Sequence, residues 1–373
     1  MSPLDVIDDA SALVFADWLQ QHGDPWGERI AMKLRGLPVE LPAPITGAVW
    51  KHGLFDRVQI GGEPEQIVDA ARTVLAWPVC GRVDQITFGP VRATFDVWNH
   101  WEDSPDHVID PWTDEVLAQL AAIVPPTVTK LGFGPRPPSA AAGYVRVPGW
   151  NKLSHTFPRA TELELVGFSP VGMYPLELSE LRSLVVKLAW ATDLELHAIG
   201  ECKLPALERL EVGTGGSTYA TIDTLYPAHY RAQYPKQFPA NEIERMSAWD
   251  DMPGSEVSAD GIAMLVGTAW PKLAHLSLAS SALYHQALVP LFESPLLRQL
   301  ATLDLSSCNL HDDDIPGLVA AAAQLKQVEV VDLSRNTFTA GGVRRLREAL
   351  PNAVITNERS GLELTFRQLA TRE

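Results

Sequence analysis

The chain has 373 residues, 46% of them hydrophobic and 20% charged, with a formal net charge of −16 at pH 7. Such a composition can bury a core and excludes a disordered chain. The acidic balance argues against binding a nucleic-acid backbone, which needs basic patches, and would draw basic partners toward the surface. Three cysteines, Cys80, Cys202 and Cys308, are odd in number and far apart. That fits a reducing compartment better than a disulfide framework. The opening MSPLDVIDDASALVFADWL lacks the basic start and long apolar run of a signal peptide. No stretch reaches about 18 uninterrupted apolar residues. A cytoplasmic protein is expected, with neither membrane nor nucleic acid among its partners.

In chain order, the first expectation is a helical hairpin. Ala12, Leu13, Ala16 and Leu19 share one helix face, and Gly23 marks the end of that helix. "GDPWGE" then turns into a second helix with Ile30 and Leu34 on its apolar side. From residue 54 onward a template L-x-x-L-x-L recurs. It is degenerate in "FDRVQI" (Phe55, Val58, Ile60), "VDQITF" (Val83, Ile86, Phe88), "VTKLGF" (Val128, Leu131, Phe133), "ATELEL" (Leu163, Leu165), "LRSLVV" (Leu181, Leu184, Val186) and "LERLEV" (Leu207, Leu210, Val212). It is regular in "LAHLSL" from Leu273, "LATLDL" from Leu300 and "VEVVDL" from Val328. In these last three the pattern continues with Ser281, Cys308 and Asn336 at one turn position. Leu288 and Leu291, Ile315 and Leu318, and Val343 and Leu346 then follow at helical spacing. Outer helices are expected near 64–76, 113–123, 259–268, 312–325 and 340–350. A short strand plus an amphipathic helix cannot bury its apolar face alone, so the units must stack into one continuous core.

"LDLSSCNL", "VDLSRNTF" and "TAGGVRRLREAL" resemble leucine-rich repeats of the ribonuclease-inhibitor type. The resemblance implies an α/β leucine-rich-repeat solenoid, a horseshoe that usually binds proteins. "DDASALVFADWLQQHGDPWGERIAMKL" is similar to the bacterial repeat-companion domain, carried by Ala16, Asp17, Trp18, Leu19, Gly23, Asp24, Pro25, Gly27 and Glu28. That similarity implies bacterial origin and no known chemistry. The expected organisation is a helical cap over 1–40 and a repeat domain over 41–373. The repeat domain is degenerate in 54–256, with insertions near 91–112 and 213–256, and regular in 257–355.

Outward positions follow from the period of two along a strand. They include Glu162, Glu164, Arg209, Glu211, His275, Thr302, Asp304 and Asp332, a mixed polar row that suits partner binding. The insertions add large rings, among them Trp98, Trp101, Tyr226, Tyr230 and Tyr234. Aromatic side chains serve interfaces because they cover area at little entropic cost, although rings that pack back onto the repeats are the plainer reading. No H-E-x-x-H, C-x-x-C or G-x-S-x-G occurs, and "GTGGST" lacks the lysine of a phosphate loop. His100, His107, Asp103, Asp106 and Asp110 read as a solvated acidic loop rather than a metal site. "SSCNLHDDD", dense in potential ligands, reads as a repeat boundary. Cys308 faces inward there, Asp312 to Asp314 cap a helix and Pro316 fits its first turn, while His311 has no assigned role. No cofactor and no metal are expected.

The function expected is non-catalytic protein–protein interaction, as adaptor, regulatory subunit or substrate of a partner enzyme. One alternative is an inhibitor or immunity-like protein covering a basic enzyme. Another is an enzyme with its site at the insertions.

Overall fold

The computed structural model describes residues 6–90, 111–134, 147–168, 175–214 and 257–356, apart from positions 7, 190, 192, 282 and 284. The insertions near 91–112 and 213–256 lie outside the described residues except at their ends. The chain divides into two compact units, one of residues 1–136 and 144–170, the other of 137–143 and 171–373. Among the described residues, no helix is long and apolar enough to cross a membrane.

The first unit opens with α1 (Asp9–Gln21), whose start is fixed by a reciprocal cap between Asp8 and Ser11. Its buried face is Ala12, Phe15, Ala16 and Leu19. Leu13, expected on that face, is 45% exposed. Steps of three and four from Ala12 lead to Phe15, Ala16 and Leu19, and Leu13 falls about 100° away. Gly23, at φ +74°, ends the turn after α1 in the left-handed region. In α2 (Trp26–Leu34), Ile30 is fully buried and Leu34 half-buried. Trp26 packs edge-on against Phe55 at 5.6 Å and lies 5.2 Å from Trp77.

β1 (Ile45–Lys51) pairs antiparallel with β2 (Leu54–Gly62) across a two-residue turn, His52–Gly53, with φ +47° and +71°. The register of β1 shifts twice, between Ile45 and Gly47 and between Val49 and Trp50. The repeat template does not describe this strand. It pairs along the flank of the first repeat strand.

β3 (Gln85–Pro90), β4 (Lys130–Phe133) and β5 (Glu162–Phe168) follow β2 in parallel order. Two inner columns run across them, Val58–Ile86–Leu131–Leu163 and Ile60–Phe88–Phe133–Leu165, all at most 2% exposed. Burying each such side chain contributes roughly 1.5–3 kcal/mol. Helices α3 (Ile67–Leu75), α4 (Asp114–Ile123) and α5 (Trp150–Thr156) alternate with the strands, each packing on the next. Trp112, expected within the first insertion, is a core residue, 1% exposed and perpendicular to the Phe133 ring at 5.1 Å.

In the second unit β6 (Ser183–Ala189), β7 (Arg209–Gly213), β8 (His275–Ser277), β9 (Thr302–Asp304), β10 (Val330–Asp332) and β11 (Ala353–Val354) are parallel and in sequence order. Between them come α6 (Asp193–Gly200), α7 (Ala259–Gly267), α8 (His285–Glu293), α9 (Ile315–Ala320), α10 (Ala322–Leu325) and α11 (Ala340–Ala349). The nine strands expected from the template all form. β1 and β11 are additional.

Two devices join neighbouring repeats of this unit. At the turns after β8, β9 and β10, Ser280, Ser307 and Arg335 take up positive φ near +60°, which exposes backbone groups that the next residue satisfies. Asn336 is 1% exposed. Its Oδ1 accepts from the Cys308 and Leu310 N–H groups at 2.9 and 3.1 Å, and its Nδ2 donates to the Leu305 and Leu333 carbonyls. One repeat earlier the Cys308 thiol donates to the Leu278 carbonyl at 3.1 Å, and one turn before that Ser281 Oγ accepts from Thr214 N–H. At the helix starts, Asp312 accepts from the Thr339 N–H at 2.9 Å and hydroxyl at 2.5 Å. Thr339 is the N-cap of α11, and Asp193 holds Ser258, the N-cap of α7, in the same way. The Thr339 hydroxyl, then its N–H, holds the Asp312 carboxyl below its usual range. Close approach of the two helix starts requires Gly342, where a Cβ would collide with Asp312 Oδ1 and lie 2.6 Å from Ile315 Cδ1.

Asn336→Ala leaves two buried donors and two carbonyls without that partner, and should cost about 3 kcal/mol in urea unfolding. Gly341 and Gly342 give a paired test. A Cβ at Gly341 meets nothing nearer than Thr339 Oγ1 at 3.6 Å. Gly341→Ala should therefore stabilise by up to about 1 kcal/mol, as is usual for glycine in a helix. Gly342→Ala should destabilise by about 1–3 kcal/mol through overpacking. Equal effects at the two positions would refute the inter-helix clamp.

Candidate functional site: the outward face of the strands

Side chains alternate along a strand, so sealing Leu and Val inward sets the intervening residues on the opposite face. In the first unit these form two ladders in register, Arg57–Gln85–Lys130–Glu162 and Gln59–Thr87–Gly132–Glu164. Lys130 Nζ lies 2.8 Å from Asp84 Oδ2 and 3.2 Å from Glu162 Oε1. Hydrogen bonding to Asp84, and then to Glu162 against a cost of burial, raises the Lys130 ammonium above its usual range. Glu162 and Glu164 are half-buried. Gln85 and Thr87, which the same period of two sets outward, are 9% and 5% exposed. The outward face of β3 is therefore not open to a partner, a correction to the alternation rule, which reports direction and not cover.

In the second unit the ladders are Ser183–Arg209–His275–Thr302–Val330 and Val185–Glu211–Ser277–Asp304–Asp332–Val354. Arg209 donates to Glu211 within its own strand, and Lys187 Nζ lies 3.8 Å from the other oxygen of Glu211. His275, exposed, sits between Arg209 and Thr302 in register. Ser277 Oγ donates to Asp304 Oδ2 at 3.3 Å. Asp304 and Asp332 are register partners on adjacent strands, and each also accepts from the backbone N–H two residues on, Ser306 and Ser334, at 2.9 Å. These two carboxylates thus shape the turn as well as charge the face. Lys187 and Asp84 were missed by the template, which counts only its third and fifth residues. The period of two, carried one step beyond Val185 on the longer β6, finds Lys187.

The structure brings Arg209 and Glu211 together, sets His275 beside Thr302, and aligns Asp304 with Asp332. Trp98, Trp101, Tyr226, Tyr230 and Tyr234 lie outside the described residues, as do His100, Asp103, Asp106, His107 and Asp110.

Among the described residues no group of three His, Cys, Asp or Glu side chains could hold a metal ion. Over "SSCNLHDDD" the side chains diverge. Cys308 is buried, Asp312 binds Thr339, and Asp314, 2% exposed, accepts from the His311 N–H at 2.8 Å. His311 has a role that the sequence did not suggest: it is the N-cap, reciprocally bonded with Asp314, of the single 3-10 turn Asp312–Asp314. Burial pushes the Cys80 and Cys202 thiols up to about 12 and raises Cys308 as well. None of these cysteines has the lowered pKa of a nucleophile.

Parallel strands with sealed apolar columns, alternating helices and a buried Ser, Cys or Asn at the turns after β8, β9 and β10 define an α/β leucine-rich-repeat fold. No family model matches the chain, and no curated protein matches it. Solved structures do. A protein from Bacteroides fragilis is 16% identical, with a TM-score of 0.51 over 78% of this chain and 69% of that one. The leucine-rich-repeat-containing protein LegL7 from Legionella pneumophila is 14% identical, with a TM-score of 0.34 over 84% of this chain and 97% of that one. The yeast Rad7 and Elc1 complex gives 12% identity and a TM-score of 0.33 over 95% of this chain and 87% of that one. At 16% identity the Bacteroides likeness concerns the fold.

All three thiols should resist a thiol-specific colorimetric reagent at pH 8 in the folded protein and react together in denaturant. Rapid labelling of any one without denaturant would refute its burial.

Proposed function

We propose that the chain is a non-catalytic protein-binding scaffold, serving as an adaptor, a regulatory subunit or the substrate of a partner enzyme. The outward strand face of the second unit is the docking surface, with the ring-bearing insertions as further contacts. The observation that carries this reading is the register of the outward ladders. Arg209, Glu211, His275, Thr302, Asp304 and Asp332 are held at strand spacing on a backbone fixed by the sealed leucine columns behind it. A face so pre-organised loses little entropy on binding. These six side chains are polar and of both signs, with exposed Val330 and Val354 beside them, a mixture that suits recognition of another protein surface more than enclosure of a small apolar ligand. Bacterial origin and a cytoplasmic setting belong to the same reading.

A second version, an inhibitor or immunity-like protein covering a basic enzyme, is favoured by the net charge of −16 and by the aligned Asp304 and Asp332. Opposite charge on the partner would raise the rate of encounter.

Affinity capture from the native host, comparing the unaltered chain with a Glu211→Gln, Asp304→Asn, Asp332→Asn variant, tests the proposal. The amides keep the side-chain oxygens that accept from Ser306 and Ser334, so the turns survive while the charge is removed. The variant should lose the captured partner, or bind it at least about tenfold more weakly. Undiminished capture would exclude this face as the contact. If the partner is basic, its association rate should fall steeply between low and physiological salt.

A further inference from the structure

One repeat of the second unit departs from the others in length at a single place. The inner residues Leu210, Leu276, Leu303 and Val331 are successive register partners. Thr214, Ser280, Ser307 and Arg335 each stand four residues further on. From that position to the N-cap of the following helix is four residues in two repeats, Ser307 to His311 and Arg335 to Thr339. From Thr214 to the N-cap Ser258 it is 44, a surplus of 40 over four.

Both sides of this gap are nevertheless bonded to neighbouring repeats, the returning side as in a regular repeat and the leaving side in its own way, since Thr214 lacks the positive φ of Ser280, Ser307 and Arg335. On the leaving side Thr214 is 1% exposed; its N–H donates to Ser281 Oγ at 3.2 Å and its carbonyl accepts from the Ala191 N–H at 3.3 Å. On the returning side Val257 is 2% exposed. The Ser258 N–H and hydroxyl donate to the two carboxylate oxygens of Asp193 at 2.9 and 2.5 Å, as Thr339 does to Asp312. Gly261 stands three residues after its N-cap as Gly342 does after Thr339, and a Cβ there would collide with Asp193 just as one at Gly342 would with Asp312. Ile262 and Leu265 of α7 are then sealed at the positions that Val343 and Leu346 fill in α11.

We infer that the 40 surplus residues are an insertion into a repeat whose frame is complete without them. Each half of the repeat is held by the neighbouring repeats, through Ser281 on one side and Asp193 on the other. Ser258 is the joint at which the repeat resumes. This inference stands apart from the partner-binding reading, because it concerns what the fold requires.

Replacing residues 215–257 with Asn-Thr-Phe, the residues at 336–338, would restore the four-residue spacing and supply an asparagine at the turn position. A second variant would join Thr214 to Val257 through a Gly/Ser linker of about ten residues, which imposes no local geometry. Closing a shorter loop costs less entropy. At least one variant should elute as a single species with the far-ultraviolet circular dichroism of a folded α/β chain and unfold in one cooperative transition at or above the midpoint of the full chain. If only the flexible linker succeeds, the frame is still complete and the joint needs slack. If both variants aggregate, or unfold well below the full chain, the segment is part of the fold and the inference is overturned.

Discussion

The second unit depends on a single requirement: each turn after a strand must have its buried backbone groups satisfied by the neighbouring repeat. An unpaired N–H or carbonyl in the interior costs about 1–3 kcal/mol, and a repeat with a three-residue strand has few other bonds to offer. Asn336 meets the requirement most fully, with two acceptances and two donations. Cys308 meets it through sulfur, and its burial keeps the thiol protonated and chemically quiet. The Asp–Thr and Asp–Ser clamps at the helix starts repeat the arrangement on the helical side. Because each device links one repeat to the next, register passes along the unit and sets the outward ladders in line.

The consequences for the face are mixed. Where carboxylates already accept from turn N–H groups, as Asp304 and Asp332 do, the residues that would meet a partner also hold the scaffold. Neutralising them by amide substitution separates the two duties, whereas truncation would confound them. In the first unit the strand columns are equally well sealed, but the outward Gln85 and Thr87 are covered. The two units thus offer different surfaces from the same repeat template.

Much of this was legible in the sequence. The strands were, because a parallel strand sealed on one side needs apolar residues two apart, as at Leu303 and Leu305, preceded by an anchor such as Leu300. The turn position of Cys308 was legible from its alignment with Asn336. β1 was not, because an antiparallel flank strand obeys no repeat template, and ITGAVWK has mixed burial without a clean period. His311 was missed because histidine is an unusual N-cap, and its bond to Asp314 depends on backbone geometry. Leu13 was misplaced by one position, since Phe15 completes the helical face. For the candidate face, direction followed from the period of two. The ion pairs of Lys130 and Lys187 did not, since they depend on which strands become neighbours and how far each extends.

The two register shifts in β1 bear on how the protein behaves in a crowded solution. A strand at the flank of a sheet presents a row of backbone donors and acceptors that another chain can pair with, the route to edge-to-edge aggregation. Irregularities after Ile45 and after Val49 break that row into pieces too short for a continuous new ladder. Lys51 at the end of the strand adds a charge that an incoming strand would have to desolvate. The flank is thus closed to further strands by its own irregularity, and a chain built by adding one parallel strand after another is stopped from adding a stranger's.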